Sequence, residues 1–180
     1  MSSPTLLRLI DEAILPSIIL LVAKFIGLVF IGAYLQLSIV GIFSKSVVLT
    51  TEQYLTLNSY ASFIMVMVYF LAFAFILLRG FKLHESHISP KAMHLMVSQG
   101  LLEMVVSSLK LFHQYIIWGL FSLLTAATLW VYAYNGLIFS WVAGTAVLGS
   151  VIFQWLIVLD IEHELRLSEI DSGHHLEILE

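Results

Sequence analysis

Three long stretches of this chain contain no Asp, Glu, Lys or Arg. They comprise residues 25–44, 53–78 and 111–159, with lengths of 20, 26 and 49 residues. A helix needs about 20 apolar residues to cross the hydrocarbon of a bilayer, so each of the first two stretches fits one span. The third is too long for one span, and its Asn135-Gly136 dipeptide indicates a turn between two spans.

We therefore predict an all-α integral membrane protein, a four-helix bundle with four spans in one domain over residues 1–180. The predicted spans cover about 17–43, 56–79, 112–134 and 137–159. Composition agrees, because 60% of the residues are hydrophobic and only 11% are charged. Soluble domains carry roughly 25% charged residues, so an ordinary soluble domain is excluded.

Charge and cysteine content exclude further classes. A net charge of −4 provides no basic surface for nucleic acid. The chain has no cysteine, which excludes a disulfide scaffold and Cys-ligated zinc.

The distribution of Lys and Arg predicts the orientation. In a four-span arrangement only Lys45 falls on one side of the bilayer. The other side receives Arg8, Arg79, Lys82, Lys91, Lys110 and Arg166. Because cytoplasmic loops are enriched in Lys and Arg, both termini are expected in the cytoplasm, and the cytoplasmic (inner) membrane is the expected location.

Three segments outside the spans are predicted to be helical. Ser3-Pro4 is a typical helix start and predicts an interfacial helix over 1–15 that runs into the first span near Pro16. Ser89-Pro90 begins an amphipathic helix over 89–111 that continues into the third span. The fourth span continues into a tail, 160–180, with Ser172-Gly173 as the expected helix stop. Helices 3 and 4 should thus extend into the cytoplasm.

Lys24 is the only full charge clearly within an apolar run. With a core of 25–44 it lies near the cytoplasmic end of its span, where its ammonium could reach the headgroups and contact lipid phosphate. The alternatives are an ion pair with Glu103, Asp160 or Asp11, or a position on the wall of a pore. The neutral groups Gln36, Asn58 and Gln154 could bridge helices by hydrogen bonds.

Small residues predict where helices pack closely. Gly27 follows Ala23 by four residues in the first span, and the fourth contains Gly144 and Gly149 in similar pairs. Such spacing lets helix backbones approach each other. The contacts could be made within one chain or between subunits.

Recognisable catalytic motifs are absent, so we expect no enzyme activity, no catalytic residues and no cofactor. His84-Glu85-Ser86-His87 is one residue short of the HExxH zinc motif, so no metal ligand is assigned. His113 and His163 form a conceivable haem-ligand pair.

The leading functional hypothesis is a non-enzymatic membrane subunit that senses or scaffolds at the bilayer, forms a homo-oligomer such as a tetramer, and holds a cytoplasmic protein. The expected partner-binding residues are Lys91, His94, Glu103, Glu162, Glu164 and Arg166. A pore-forming channel or transporter subunit is the alternative, and a haem- or metal-binding membrane subunit is the second alternative.

Overall fold

The computed structural model describes the backbone of residues 4–37, 49–85 and 102–177, and the side chains of 13–37, 49–79 and 114–162. Within these ranges the regular structure consists of four α-helices. They are α1 (Pro4–Tyr34), α2 (Thr51–Glu85), α3 (Leu102–Tyr134) and α4 (Ser140–Glu177).

Each helix contains a segment long and apolar enough to cross a membrane. These segments are Ala13–Tyr34, Thr51–Arg79, Gln114–Tyr134 and Ser140–Glu162. The predicted all-α fold with four potential membrane spans is confirmed, and it indicates an integral membrane protein.

The first helix begins at Pro4, as predicted, and runs through Pro16 into the apolar segment without a break. Pro16 lacks a backbone N–H and so removes one hydrogen bond of the helix. This long apolar helix tolerates the resulting loss of stability. The apolar segment ends at Tyr34 rather than at residue 43. Residues 38–43 of the predicted span lie outside the described residues.

Two helices end in the same hydrogen-bonded motif. At the end of α1, Leu37 N–H donates to Gly32 O (2.9 Å) and Gln36 N–H donates to Ala33 O (3.0 Å). At the end of α3, Leu137 N–H and Gly136 N–H donate to the carbonyls of Tyr132 and Ala133 at 2.9 and 3.0 Å. This pair of bonds defines a Schellman motif, which needs one residue with positive φ. Those residues are Gln36 (φ 57°) and Gly136 (φ 68°).

Side chains satisfy backbone groups where helices begin. Before α2, Gln53 N–H donates to Thr50 Oγ1 (3.2 Å) while Thr50 N–H donates to Gln53 Oε1 (3.1 Å), which is a capping box. Before α4, Phe139 N–H donates to Ser59 Oγ at 2.8 Å. The Ser59 hydroxyl belongs to α2, so α2 fixes the start of α4.

The chain divides into two compact units. The first comprises Met1–Phe73 and Ile117–Val151, and the second comprises Ala74–Ile116 and Ile152–Glu180. In the first unit, α2, α3 and α4 share a hydrophobic core. Its buried members are Val66, Ala126, Leu129, Ile138, Val142, Ala143 and Ala146.

An aromatic cluster joins α2 to α3 in the first unit. The rings of Tyr69 and Trp118 are stacked with centroids 5.2 Å apart, and Phe73 lies 5.9 Å from the same indole. Tyr69 is buried, and its hydroxyl donates to Trp118 O at 2.5 Å. A buried tyrosine hydroxyl requires such a partner.

The second unit contains the polar continuations of three helices. Tyr115 is completely buried and its hydroxyl donates to Leu77 O at 3.4 Å, while Asp160 of α4 is also buried. The helix α4 does not stop at Ser172-Gly173 but reaches Glu177. That predicted stop is wrong, because a single glycine inside a helix costs only about 1 kcal/mol. The predicted start at Ser89-Pro90 lies outside the described residues.

Candidate functional site

Lys24 is the centre of a polar cluster in the first unit. It lies in the middle of the apolar segment Ala13–Tyr34, eleven residues after its start, rather than near its end as expected. Its Nζ donates to Asn58 Oδ1 (2.7 Å), to Ser62 Oγ (2.5 Å) and to Asn58 O (3.1 Å). The ammonium therefore contacts α2, and all three acceptors are neutral oxygen atoms.

Asn58 of α2 connects α1 to the turn between α3 and α4 through one side chain. While its Oδ1 accepts from Lys24 of α1, its Nδ2 donates to Leu137 O at 2.9 Å. Leu137 lies in the turn between α3 and α4. The structure thus confirms that Asn58 bridges helices, and it places the Lys24 ammonium near the α3–α4 turn rather than at the opposite end of the helices.

Serine hydroxyls complete the polar cluster. Ser62 Oγ donates to Asn58 O at 2.7 Å while it accepts from Lys24. Asn58, Ser59 and Ser62 are all buried. Buried polar groups destabilise a protein unless they are hydrogen bonded, and this cluster satisfies its members mutually.

A groove lies beside Lys24. It has a volume of about 370 Å³ and is bounded by side chains of α1, α2 and α3. The lining residues are Leu20, Lys24, Ser62, Met65, Phe121, Leu124, Thr125, Thr128, Leu129 and Tyr132. The volume is within the lower range of small-molecule sites in proteins.

The three glycines predicted at helix contacts have different surroundings. A Cβ at Gly27 would lie 3.0 Å from the Cα and O atoms of Ala61, so α1 and α2 approach closely there. A Cβ at Gly149 would overlap the ring of Phe70, which packs directly on α4. Gly144 is exposed, and nothing lies within 4 Å of the position of its Cβ. It therefore packs against no other helix within the described part of the chain.

The expected partner-binding residues are only partly described. Glu162 is exposed on α4, and Glu164 and Arg166 follow it on the same helix. Glu103 belongs to the first turn of α3. Lys91 and His94 lie outside the described residues. Of the six residues, Glu103 thus belongs to α3, and Glu162, Glu164 and Arg166 belong to α4.

The histidines considered as haem or metal ligands are not described at the level of side chains. His113 and His163 belong to α3 and α4, whereas His87 lies outside the described residues. Among the side chains that are described, no group of three or more His, Cys, Asp and Glu forms a potential metal site.

Comparison of the chain with models of protein families, with curated proteins and with solved structures finds no match. The function must therefore be argued from the site and from the helices themselves.

The sequence singled out Lys24 and Asn58 but did not predict that they meet. Lys24 and Asn58 are 34 residues apart in the chain. Apart from its hydroxyl group, nothing in the sequence marked Ser62 as a contact of Lys24. The Ala23/Gly27 pair in α1 pointed to a close approach of α1 to another helix. That approach, at Gly27 and Ala61, brings the lysine within reach of α2.

Proposed function

We propose that the chain is a non-enzymatic membrane subunit whose helical continuations hold a soluble cytoplasmic protein. The observation that carries the proposal is that α3 and α4 remain helical outside the charge-free stretch 111–159, over residues 102–110 and 160–177. Helices that served only to cross the bilayer would not require these continuations. Two helices that continue beyond the apolar segments supply a surface for a soluble protein.

The charge of the α4 continuation supports a partner of opposite charge. Residues 160–177 contain six acidic residues and one arginine. The acidic residues are Asp160, which is buried, and Glu162, Glu164, Glu169, Asp171 and Glu177. Charge complementarity at interfaces favours a partner with a basic surface and makes the association sensitive to ionic strength.

The Lys and Arg distribution supports the cytoplasmic side for these continuations. Arg79, Lys110 and Arg166 lie at the ends of α2, α3 and α4 that are remote from the α3–α4 turn. Cytoplasmic segments next to spans carry the excess of Lys and Arg. The proposal accordingly has both termini in the cytoplasm and the protein in the cytoplasmic membrane.

Self-association is the second part of the proposal. Only 17% of the apolar stretch of α1 and 22% of that of α4 are buried within the chain. Gly144 is exposed on α4 next to open space, and small residues on an outer helix face allow another helix to approach. We therefore expect a homo-oligomer in which α4 contacts a second copy.

The test of partner binding is co-purification from native membranes with charge variants. The triple variant Glu162→Lys/Glu164→Lys/Arg166→Glu should lose a soluble protein that the unmodified chain retains at low salt and releases at high salt. Glu52→Lys is the matched control. Glu52 is also an exposed acidic residue, but it lies in the first turn of α2 and not in the α4 continuation. No enriched soluble protein, or equal loss in both variants, would contradict the proposal.

The pore hypothesis has less support from the geometry. A pore-lining lysine would present its ammonium to a water-filled axis, whereas Lys24 directs its three hydrogen bonds to Asn58 and Ser62 of α2. Ion flux through liposomes containing the purified chain, abolished by Lys24→Ala, would favour a pore over the subunit proposed above.

A further inference from the structure

The groove beside Lys24 changes in polarity along its length. Helices α1 and α3 run toward the α3–α4 turn, and α2 runs away from it. At the end nearer the turn the groove has Lys24, Ser62, Thr128 and Tyr132, together with the buried Leu129. Thr125 lies between the two ends, and Leu20, Met65, Phe121 and Leu124 lie farther from the turn. The charged and most of the polar side chains are thus near the turn, and the far end of the groove is lined by apolar side chains.

The charge at the polar end is not neutralised by its contacts. Within the described part of the chain, every hydrogen bond of the Lys24 ammonium goes to a neutral amide, carbonyl or hydroxyl oxygen. An ammonium at membrane depth is stabilised far more by an anion than by neutral dipoles. An anionic group in the groove would supply that compensation.

One of the three hydrogen bonds can be exchanged for a ligand. The bond from Lys24 Nζ to Asn58 O is the longest of the three, at 3.1 Å. Asn58 O also accepts a hydrogen bond from Ser62 Oγ, so it keeps a partner when the lysine turns away. The ammonium can therefore bind an anion without leaving a buried carbonyl unsatisfied.

We propose that this groove binds an amphiphile with a single anionic headgroup, a carboxylate or a phosphate, whose oxygen accepts a hydrogen bond from Lys24. The hydrocarbon chain packs against Leu20, Met65, Phe121 and Leu124. The headgroup belongs to the leaflet on the side of the α3–α4 turn, because Asn58 holds both Lys24 and the turn carbonyl of Leu137. The site is independent of partner binding by the α4 continuation.

Binding can be measured by titration of the purified full chain in neutral detergent, with native mass spectrometry as readout. The probes are oleate, dioleoylphosphatidylglycerol and the uncharged monoolein. We expect at least one anionic probe to bind at least about tenfold more tightly than monoolein. Preference for oleate identifies a carboxylate ligand, and preference for phosphatidylglycerol identifies a phospholipid.

Two neighbouring positions on α3 provide a matched pair of variants. Leu124 lines the groove and Leu123 does not, yet both are exposed, at 55% and 48%. Leu124→Trp fills the groove and should weaken binding of the preferred anionic probe about tenfold, whereas Leu123→Trp should leave its Kd unchanged. These variants keep the Lys24 cluster intact, so they remain informative where a Lys24 variant fails to fold.

Lys24→Gln tests the charge itself. Its Kd for the anionic probe should rise to that for monoolein, with little change for monoolein. The proposal is overturned if monoolein binds the unmodified chain as tightly as both anionic probes do. Equal Kd values for Leu123→Trp and Leu124→Trp would overturn it as well, because binding would then take place elsewhere.

Discussion

Asn58 takes part in four hydrogen bonds of the first unit. Its side chain accepts from Lys24 and donates to Leu137 O, so a single amide connects α1, α2 and the turn before α4. Ser59, the next residue, accepts from Phe139 N–H. Asn58 and Ser59, which are adjacent in α2, therefore form hydrogen bonds with α1 and with the segment between α3 and α4.

Replacement of this amide should destabilise the fold. Asn58→Leu leaves the Leu137 carbonyl and one donor of Lys24 without their partners, and we expect a loss of about 1–3 kcal/mol in the free energy of unfolding. Reversible unfolding in mixed micelles provides the measurement.

The double variant Lys24→Met/Asn58→Leu provides the control for this pairing. It should lose less stability than the sum of the two single losses, because the second change removes a group already deprived of its partner. Strict additivity would contradict the role assigned to Asn58.

Gly149 and Gly144 differ in the space available for a Cβ, and alanine substitutions can test this difference. Both lie in α4, but a Cβ overlaps Phe70 at position 149 and meets nothing within 4 Å at 144. Gly149→Ala should destabilise the chain by about 1–3 kcal/mol through overpacking. Gly144→Ala should leave the monomer equally or slightly more stable, because Ala favours helix.

A substitution at Phe70 tests whether its ring is what restricts position 149. In the Phe70→Leu background the smaller side chain leaves room for a methyl group, so Gly149→Ala should cost clearly less there. Thermal unfolding of the four combinations measures this coupling. An unchanged cost would show that the ring does not restrict position 149.

At the scale of whole elements, the ends of α1 and α3 show what the sequence reveals and what it conceals. Asn135-Gly136 predicted a turn, and Gly136 supplies the positive φ that ends α3. Gln36 supplies the same conformation at the end of α1, although glutamine rarely adopts it and the chain stays apolar to residue 43. Hydropathy alone therefore extended the predicted span past the true helix end.

These two helix ends allow opposite substitutions at equivalent positions. Gln36→Gly should stabilise the chain by about 1 kcal/mol, because glycine adopts positive φ without the steric cost of a Cβ. Gly136→Ala should destabilise it by a similar amount for the same reason. Unfolding midpoints of both variants in one detergent provide the comparison, and a shift of both in the same direction would contradict the assignment.

The start of α2 carried a signal that span prediction does not use. Thr50 and Gln53 form a capping box, and this pattern is legible as Thr-x-x-Gln in the sequence. The charge-free stretch begins at residue 53 and the predicted span at about residue 56, whereas the helix begins at Thr51. Local hydrogen-bonding patterns therefore locate this helix start better than hydropathy does.

At the scale of the molecule, the four apolar helices of the described residues followed from hydrophobic length together with the turn signal at Asn135-Gly136. The Lys24 cluster and the groove did not, because they depend on contacts between residues far apart in the chain. Close approach of α1 to α2 at Gly27 determines which polar groups meet. Lys24 was expected near a span end because the charge-free stretch begins at residue 25, whereas the apolar segment of α1 is Ala13–Tyr34 and has Lys24 in its middle.

The central claim is that all four helices cross the bilayer, with the α3–α4 turn on one side and the helical continuations on the other. Because the chain contains no cysteine, single cysteines can be introduced and labelled without background. A membrane-impermeant maleimide, applied to vesicles of known orientation, reports the side on which each cysteine lies. Suitable positions are Glu52 and Asn135 for the side of the turn, and Glu85 and Glu177 for the opposite side.

We predict that Glu52→Cys and Asn135→Cys react from the outer side only, and that Glu85→Cys and Glu177→Cys react from the cytoplasmic side only. Labelling of Asn135→Cys and Glu177→Cys from the same side would contradict the account, because α4 would then fail to span the membrane.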